Sequence, residues 1–286
     1  MYLRFFLFIF GLLPVLSFGA EPVVLVSMAP YVEMVNELTS KQVHVELLVP
    51  AGFSAHTYEP TPKQIMNATK GSIWFTVGEL FEARVQAALQ SENPKLVVVD
   101  LRQGLSLMNG HDHEHDNHEG HHHNCGGADT HIWMSPKMMQ PQVELMAKSL
   151  SSVFPELAST IEKNKGPLLD KLEALNKTIH TMLDSHKGQI IFVGHPAYGY
   201  FCREYGLVEE SIEFEGKDPT PKHLYKLIEG AKADKVHTIF IQKQYGTKAA
   251  ELVAHELGAK LVWLDPYSEH YFESMLEIAK SFSEAG

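Results

Sequence analysis

From Val23 onward, short apolar runs rich in β-branched residues alternate with stretches whose apolar positions recur every three or four residues. Runs of the first kind fit buried strands, and stretches of the second kind fit helices with one face packed. Four strands are expected at residues 23–27, 43–49, 73–77 and 96–100. After a histidine-rich interruption the alternation resumes, with strands at 189–193, 208–214, 236–242 and 260–264 and helices such as 221–233 and 247–257 between them. Two βα halves of about four strands each predict an α/β protein of two lobes, each a mainly parallel sheet flanked by helices.

A helical segment from about Ser135 to Lys187 separates the halves, with a stripe at Leu168, Leu172, Leu175, Ile179 and Met182. That spacing makes one continuous apolar ridge. Gly166 and Pro167 interrupt it, so either a helix starts at Pro167, where its missing N–H is harmless, or a longer helix kinks there. The expected organisation is therefore a signal segment at 1–19, a first lobe at 20–154 containing a histidine-rich loop at 109–127, a connecting helix at 155–187 and a second lobe at 188–286. A stiff connector would limit how far the lobes can swing.

Composition narrows the setting. The chain has 286 residues, 44% of them hydrophobic, enough for one large core or two smaller ones. With 35 acidic against 24 basic residues the net charge is -11, which disfavours nucleic acid and suits a protein that meets cations. At the N-terminus, Arg4 precedes an apolar stretch from Phe5 to Leu13, a helix-breaking Pro14 and small residues at Ser17 and Gly19. This pattern reads as a cleaved secretory signal, and the apolar run is short of the ~20 residues that a membrane span needs. No cysteine stands at the junction, so the expected product is soluble and periplasmic, not lipid-anchored. Cys125 and Cys202 are the two cysteines, and in an oxidising compartment they could pair; the bland reading of Cys202 is a buried apolar residue on a helix.

Four candidate ligands follow predicted strands. His56 lies in "AGFSAHTYEPTP", His131 in "DTHIWMSP", His195 in "FVGHPAYGYF" and Asp265 in "LVWLDPY". In open parallel sheets the carboxyl ends of strands face the ligand crevice, so residues far apart in sequence can converge there. One such histidine would ordinarily be solvated, but four placements at the same kind of edge reinforce one another. Three neutral imidazoles and a carboxylate form a tetrahedral set suited to zinc.

The segments "PAGFSAHTYEPTPKQI", "DTHIWMSP", "HPAYGYFCREYGL" and "DPTPKHL" resemble the metal-binding solute-binding proteins that serve ABC importers of zinc and manganese, and the histidine-rich insert is typical of the zinc branch. The similarity covers essentially the whole chain after the signal. It implies two lobes joined by a long backbone helix and one metal between them, with His56, His131, His195 and Asp265 as ligands. The permease of an ABC importer would be the partner, and the chain itself would be monomeric and would not span the membrane. Two departures from the family pattern concern groups around the ligands: Pro196 stands where Asp commonly follows the third histidine, and Thr130 where the second motif often has Pro. The cysteines do not match the late disulfide of some zinc members. Manganese binders of the family tend to carry Glu where this chain has His195, which favours zinc, with manganese or iron as alternatives. Glu59 is a candidate acceptor for the second ring nitrogen of His56, and Tyr198 and Tyr200 are expected to pack beside the pocket.

His111, His113, His115, His118, His121, His122 and His123 are interleaved with Asp112, Glu114, Asp116 and Glu119. The run has no hydrophobic periodicity, so it is expected to be a loop and an accessory metal site, with affinity below that of a rigid pocket because ordering a loop carries an entropic penalty. A solvated insert without a role is the competing reading. Enzymatic chemistry is not expected: "HELGA" at His255 has no second histidine, so the H-E-x-x-H of a secreted zinc hydrolase is missing. A surface adhesin or extracellular metal buffer would share the pocket but need no importer. The remaining histidines, His44, His180, His186, His223, His237, His255 and His270, share no strand edge and are expected at the surface.

Overall fold

The computed structural model describes residues 21–109, 127–213 and 219–285. The first sheet contains β1 (Val23–Val26), β2 (His44–Leu47), β3 (Ile73–Thr76) and β4 (Val97–Asp100), ordered β2-β1-β3-β4 with all neighbours parallel. The second repeats that topology with β5 (Ile190–Val193), β6 (Val208–Ser211), β7 (Thr238–Ile241) and β8 (Lys260–Trp263), ordered β6-β5-β7-β8. In each sheet the order reverses beside the first strand, which opens a crevice at the strands' carboxyl ends. The strands are shorter than their apolar runs predict, because flanking residues leave the ladder to build the loops at that edge. The chain after β6, for instance, curls where the Ser211 hydroxyl donates to the Glu213 carbonyl at 2.9 Å.

Helices α1 (Pro30–Thr39), α2 (Pro62–Ala68) and α3 (Leu80–Glu92) belong to the first half, and α6 (Gly199–Tyr205), α7 (Pro221–Ala233), α8 (Lys248–Leu257) and α9 (Tyr271–Ser283) to the second. Between them run α4 (Pro136–Val153) and the 26-residue α5 (Ala158–Leu183), about 39 Å long at 1.5 Å per residue. Pro167 lies inside α5, which neither begins nor ends there. Leu168, Leu172, Leu175 and Ile179 are buried along it, and Met182 is partly buried. Each buried leucine contributes roughly 1.5–3 kcal/mol of apolar burial.

The alternation of the second sheet shows how one strand serves two cores. Ile191, Val193 and Phe240 face the large cluster shared with α5, α6 and α9, whereas Phe192, Ile239 and Ile241 face a smaller cluster with Leu227, Val253 and Ala254 of α7 and α8. The large cluster is continuous from β1 to α9, so the halves share one core beside the connector. Helix α9 fastens them further: the Phe272 amide donates to Glu33 of α1 (3.4 Å), and Lys171 of α5 lies 3.8 Å over the Phe272 ring while pairing with Glu37 at 2.9 Å. No helix among the described residues is long and apolar enough to cross a membrane.

Candidate metal centre

His56 sits on the loop after β2, with buried Ala55 and Tyr58 anchoring it to the first lobe. Its Nδ1 lies 3.0 Å from the Glu79 carboxylate at the entrance to α3. Gly78 sets that carboxylate in place: its φ of +94° belongs to the left-handed region that favours glycine. The turn gathers the amides of Val77, Gly78 and Glu79 onto the buried Glu82 carboxylate, leaving Glu79 to face the cleft. Burial, partly offset by those amides and by Ser27, pushes Glu82 up to about 7.

His131 follows a short loop from the Asn109–Ala128 bridge. Asp129 accepts both its backbone amide (2.9 Å) and its Nδ1–H (2.7 Å), and the neighbouring Thr130 hydroxyl donates to Glu79. Thr130, one of the two departures from the family pattern, thus ties the carboxylate behind His56 to the segment that carries Asp129 and His131. The next residues form one 3-10 turn, fully buried at Ile132, Trp133 and Met134. Its attachments reach the second half of the chain. The Trp133 indole donates to the Pro266 carbonyl (2.8 Å), Tyr271 donates to the Trp133 carbonyl (3.0 Å), and Tyr200 donates to the Asp129 carbonyl (2.8 Å).

His195 comes directly after β5. Gln242, beyond β7, pins its backbone by donating to the His195 carbonyl at 3.0 Å, and Glu213 beyond β6 accepts its Nδ1–H at 2.7 Å. The Tyr245 ring lies flat on the imidazole, with centroids 3.6 Å apart and planes 10° from parallel.

One nitrogen from each of His56, His131 and His195 lies within 4.8 Å of the others, the one such cluster of metal-binding side chains among the described residues. Each Nδ1 faces a carboxylate, so the lone pair of each ring is carried by Nε2, the nitrogen suited to a cation. His131 and His195 are nearly buried, with side chains 5% and 4% exposed, while that of His56 is 34% exposed. Burial lowers the His56 pKa, but the hydrogen bond and charge of Glu79, with further help from Asp129 and Glu213, outweigh it and leave the pKa raised. For Glu79 and Asp129 burial acts upward, and the facing histidines bring both below the usual carboxylate range.

Two expectations are corrected. Asp265 does not join the cluster: it is exposed, and its Oδ1 accepts from the Gln244 amide and the Tyr267 backbone N–H, each at 3.1 Å. A carboxylate opening an Asp-Pro turn satisfies its own loop, and here that loop carries Tyr267 inward, with its hydroxyl 3.0 Å from His131 Nε2. Glu59 does not orient His56, since it is exposed and paired with Arg84 at 3.2 Å. Glu79 takes that role from 23 residues further along, and Asp129, Glu213, Tyr245 and Tyr267 were missed with it. Asp129 alone had a local signal, being two residues before a candidate ligand. Tyr198 and Tyr200 are buried as expected. The other histidines outside the histidine-rich run are exposed or half-buried. His111, His113, His115, His118, His121, His122, His123 and Cys125 lie outside the described residues, as does the signal segment; Cys202 is buried on α6.

Two parallel-sheet lobes on a long helix, with three imidazoles converging between them, define a metal-binding solute-binding protein. Residues 24–285 match the family model described as zinc-uptake complex component A, periplasmic (ZnuA), and the chain belongs to that family. It is 30% identical to the high-affinity zinc uptake system protein ZnuA of Bacillus subtilis, over 85% of this chain and 78% of the relative. With the zinc-binding lipoprotein AdcA of Streptococcus pneumoniae it shares 29% identity over 83% of this chain but 48% of AdcA. A crystal structure of ZnuA superposes with a TM-score of 0.84 at 29% identity, covering 92% of this chain and 98% of that one. The Mn2+ complex of FpvC from Pseudomonas aeruginosa shares the fold, with a TM-score of 0.76 at 24% identity over 93% and 100% of the two chains.

Proposed function

We propose that this chain captures zinc outside the cytoplasm and delivers it to the membrane permease of an ABC importer, with His56, His131 and His195 as ligands through Nε2. The observation that carries this reading is the convergence of three imidazole nitrogens within 4.8 Å, drawn from distant segments of the sequence. Zinc–nitrogen bonds of about 2.1 Å require such nitrogens to stand roughly 3.4 Å apart, a spacing compatible with that convergence. Three nitrogen donors favour zinc over the harder manganese, and other borderline cations such as iron would also be accepted.

Three carboxylates stand behind the three rings. Glu79, Asp129 and Glu213 raise ligand basicity and offset the charge of a divalent cation without entering its coordination sphere. Because zinc needs the neutral rings, binding releases protons and weakens as pH falls. The protein works as a monomer in the periplasm after removal of residues 1–19, and the histidine run at 111–123 collects zinc as an accessory site.

Competition with a chromogenic chelator tests the site: His56→Ala, His131→Ala and His195→Ala should each weaken zinc binding at least a hundredfold, and native affinity in any two would sink the reading. Zinc uptake in cells lacking the protein separates delivery from the adhesin and buffer alternatives. Normal uptake would reject the importer role.

A further inference from the structure

The two tyrosines in the cleft have no place in the ligand set derived from the histidine motifs. The Tyr267 hydroxyl lies 3.0 Å from His131 Nε2 and 2.8 Å from the Tyr245 hydroxyl. With the His131 Nδ1–H committed to Asp129, its Nε2 is an acceptor, so Tyr267 donates to it and Tyr245 donates to Tyr267. A cation bound at Nε2 would take the lone pair that Tyr267 uses. The hydroxyl must then give up this bond and find another acceptor.

Resting on the zinc reading of the three histidines, we propose that the Tyr267 hydroxyl oxygen is the fourth ligand of the bound cation, and that the Tyr245–Tyr267 hydroxyl pair reverses its hydrogen-bond direction when the metal arrives. In the loaded state Tyr267 donates to Tyr245, turning its own oxygen lone pairs toward the metal. Tyr245 in turn points its hydrogen toward the buried Ser54 hydroxyl, its other polar neighbour. No proton leaves the pair, and each hydroxyl keeps a partner in both states.

Distance supports the assignment. In a tetrahedral zinc site with bonds of about 2.1 Å, adjacent ligand atoms are about 3.4 Å apart. The 3.0 Å contact between Tyr267 oxygen and His131 Nε2 becomes such an edge by opening a few tenths of an ångström. Burial holds the Tyr267 and Tyr245 hydroxyls well above the ordinary tyrosine range, so the donor is a neutral phenol. A neutral oxygen binds zinc more weakly than a carboxylate, which suits a carrier that must give up its cargo. Asp265 has a different part: by accepting the Tyr267 amide it fixes the turn that carries the phenol inward.

Cobalt(II), whose visible d–d bands report the donor set, tests this alongside zinc competition at pH 8. The native cobalt spectrum tests the three-imidazole reading itself, since its absence would condemn the histidine site and not the tyrosine. If the native protein gives tetrahedral bands, Tyr267→Phe should alter them and weaken zinc by about tenfold or more. Tyr245→Phe retains the ring stacked on His195 but removes the alternate acceptor, so it should weaken zinc in the same direction, with the double variant no weaker than Tyr267→Phe. Unchanged bands and affinity in Tyr267→Phe, tighter zinc binding in it, or bands lost in Asp265→Asn but intact in Tyr267→Phe would each overturn the proposal. Should Tyr267→Phe fail to fold, Tyr245→Phe decides alone: native zinc affinity in it would refute the reversal.

Discussion

Replacing Glu79 with Gln preserves side-chain volume while removing one of the charges behind the cluster. The Glu79 side chain is 2% exposed, bonded to His56 on one oxygen and to Thr130 on the other, so solvent does not screen the loss. A hydrogen bond to a charged partner is worth about 1.5–3 kcal/mol and a neutral one about 0.5–1.5. The difference, about 1–1.5 kcal/mol, corresponds to roughly a five- to twelvefold weaker zinc complex. That magnitude refers to pH 8. The same carboxylate raises the His56 pKa against the opposing effect of burial, so Glu79→Gln also removes part of the proton competition. Loss of affinity should therefore be greatest at pH 8 and shrink as pH falls toward acid. Chelator competition at pH 8 and pH 6 measures both values. Equal affinities at pH 8, or a ratio that grows toward acid, would refute the role given to Glu79.

Burial pushes Glu209 up to about 8 from 4.5, so its contribution to metal-free stability is fully present below pH 4.5 and lost as pH rises through about 8. Glu209→Gln, which never ionises, should melt near the native temperature at pH 5 and above it at pH 9; a lower melting temperature at pH 9 would contradict the shift. Leu172, fully buried on α5, should lose about 2–4 kcal/mol on truncation to Ala, and thermal melting of the metal-free protein should show a fall of about 5–15 °C. Deleting residues 111–123 should lower zinc stoichiometry while leaving one tight site, as read by calorimetry; unchanged stoichiometry would show that the run binds nothing.

The parallel sheets and the long helix were legible because their signals are local: β-branched runs of strand length and a three-and-four apolar stripe. The three histidines of the cluster were legible from recognisable local segments, His195 directly after β5 and His56 and His131 on loops further beyond β2 and β4. The supporting carboxylates were not. Glu79 looks in sequence like any acid at the start of a helix, and only the Gly78 turn, which sends three amides to Glu82, aims it at His56. Asp265 misled because an aspartate after a strand reads equally well as ligand or turn opener, and the choice depends on whether the Tyr267 amide reaches it first. Tyr267 carries no local mark, since its importance arises from meeting His131 across 136 residues.

Parting the two lobes is the simplest route to release, but the attachments of His131 favour a different one. Its segment belongs by sequence to the first half, yet Trp133, Asp129 and His131 are all hydrogen-bonded to residues of the second: Pro266, Tyr271, Tyr200 and Tyr267. Moving His131 with the first lobe would break several buried bonds at once. His56 has one polar anchor, Glu79, and is the most exposed of the three rings. An opening that carries off the His56 loop breaks fewer bonds and leaves two imidazoles, too few to hold zinc firmly. Local opening draws on the least restrained elements of a fold. In hydrogen exchange on the metal-free protein, the loop at 50–58 should therefore exchange faster than 130–134, and zinc should protect the first more than the second. Equal exchange in the two segments would show that the His56 loop is not the element that opens.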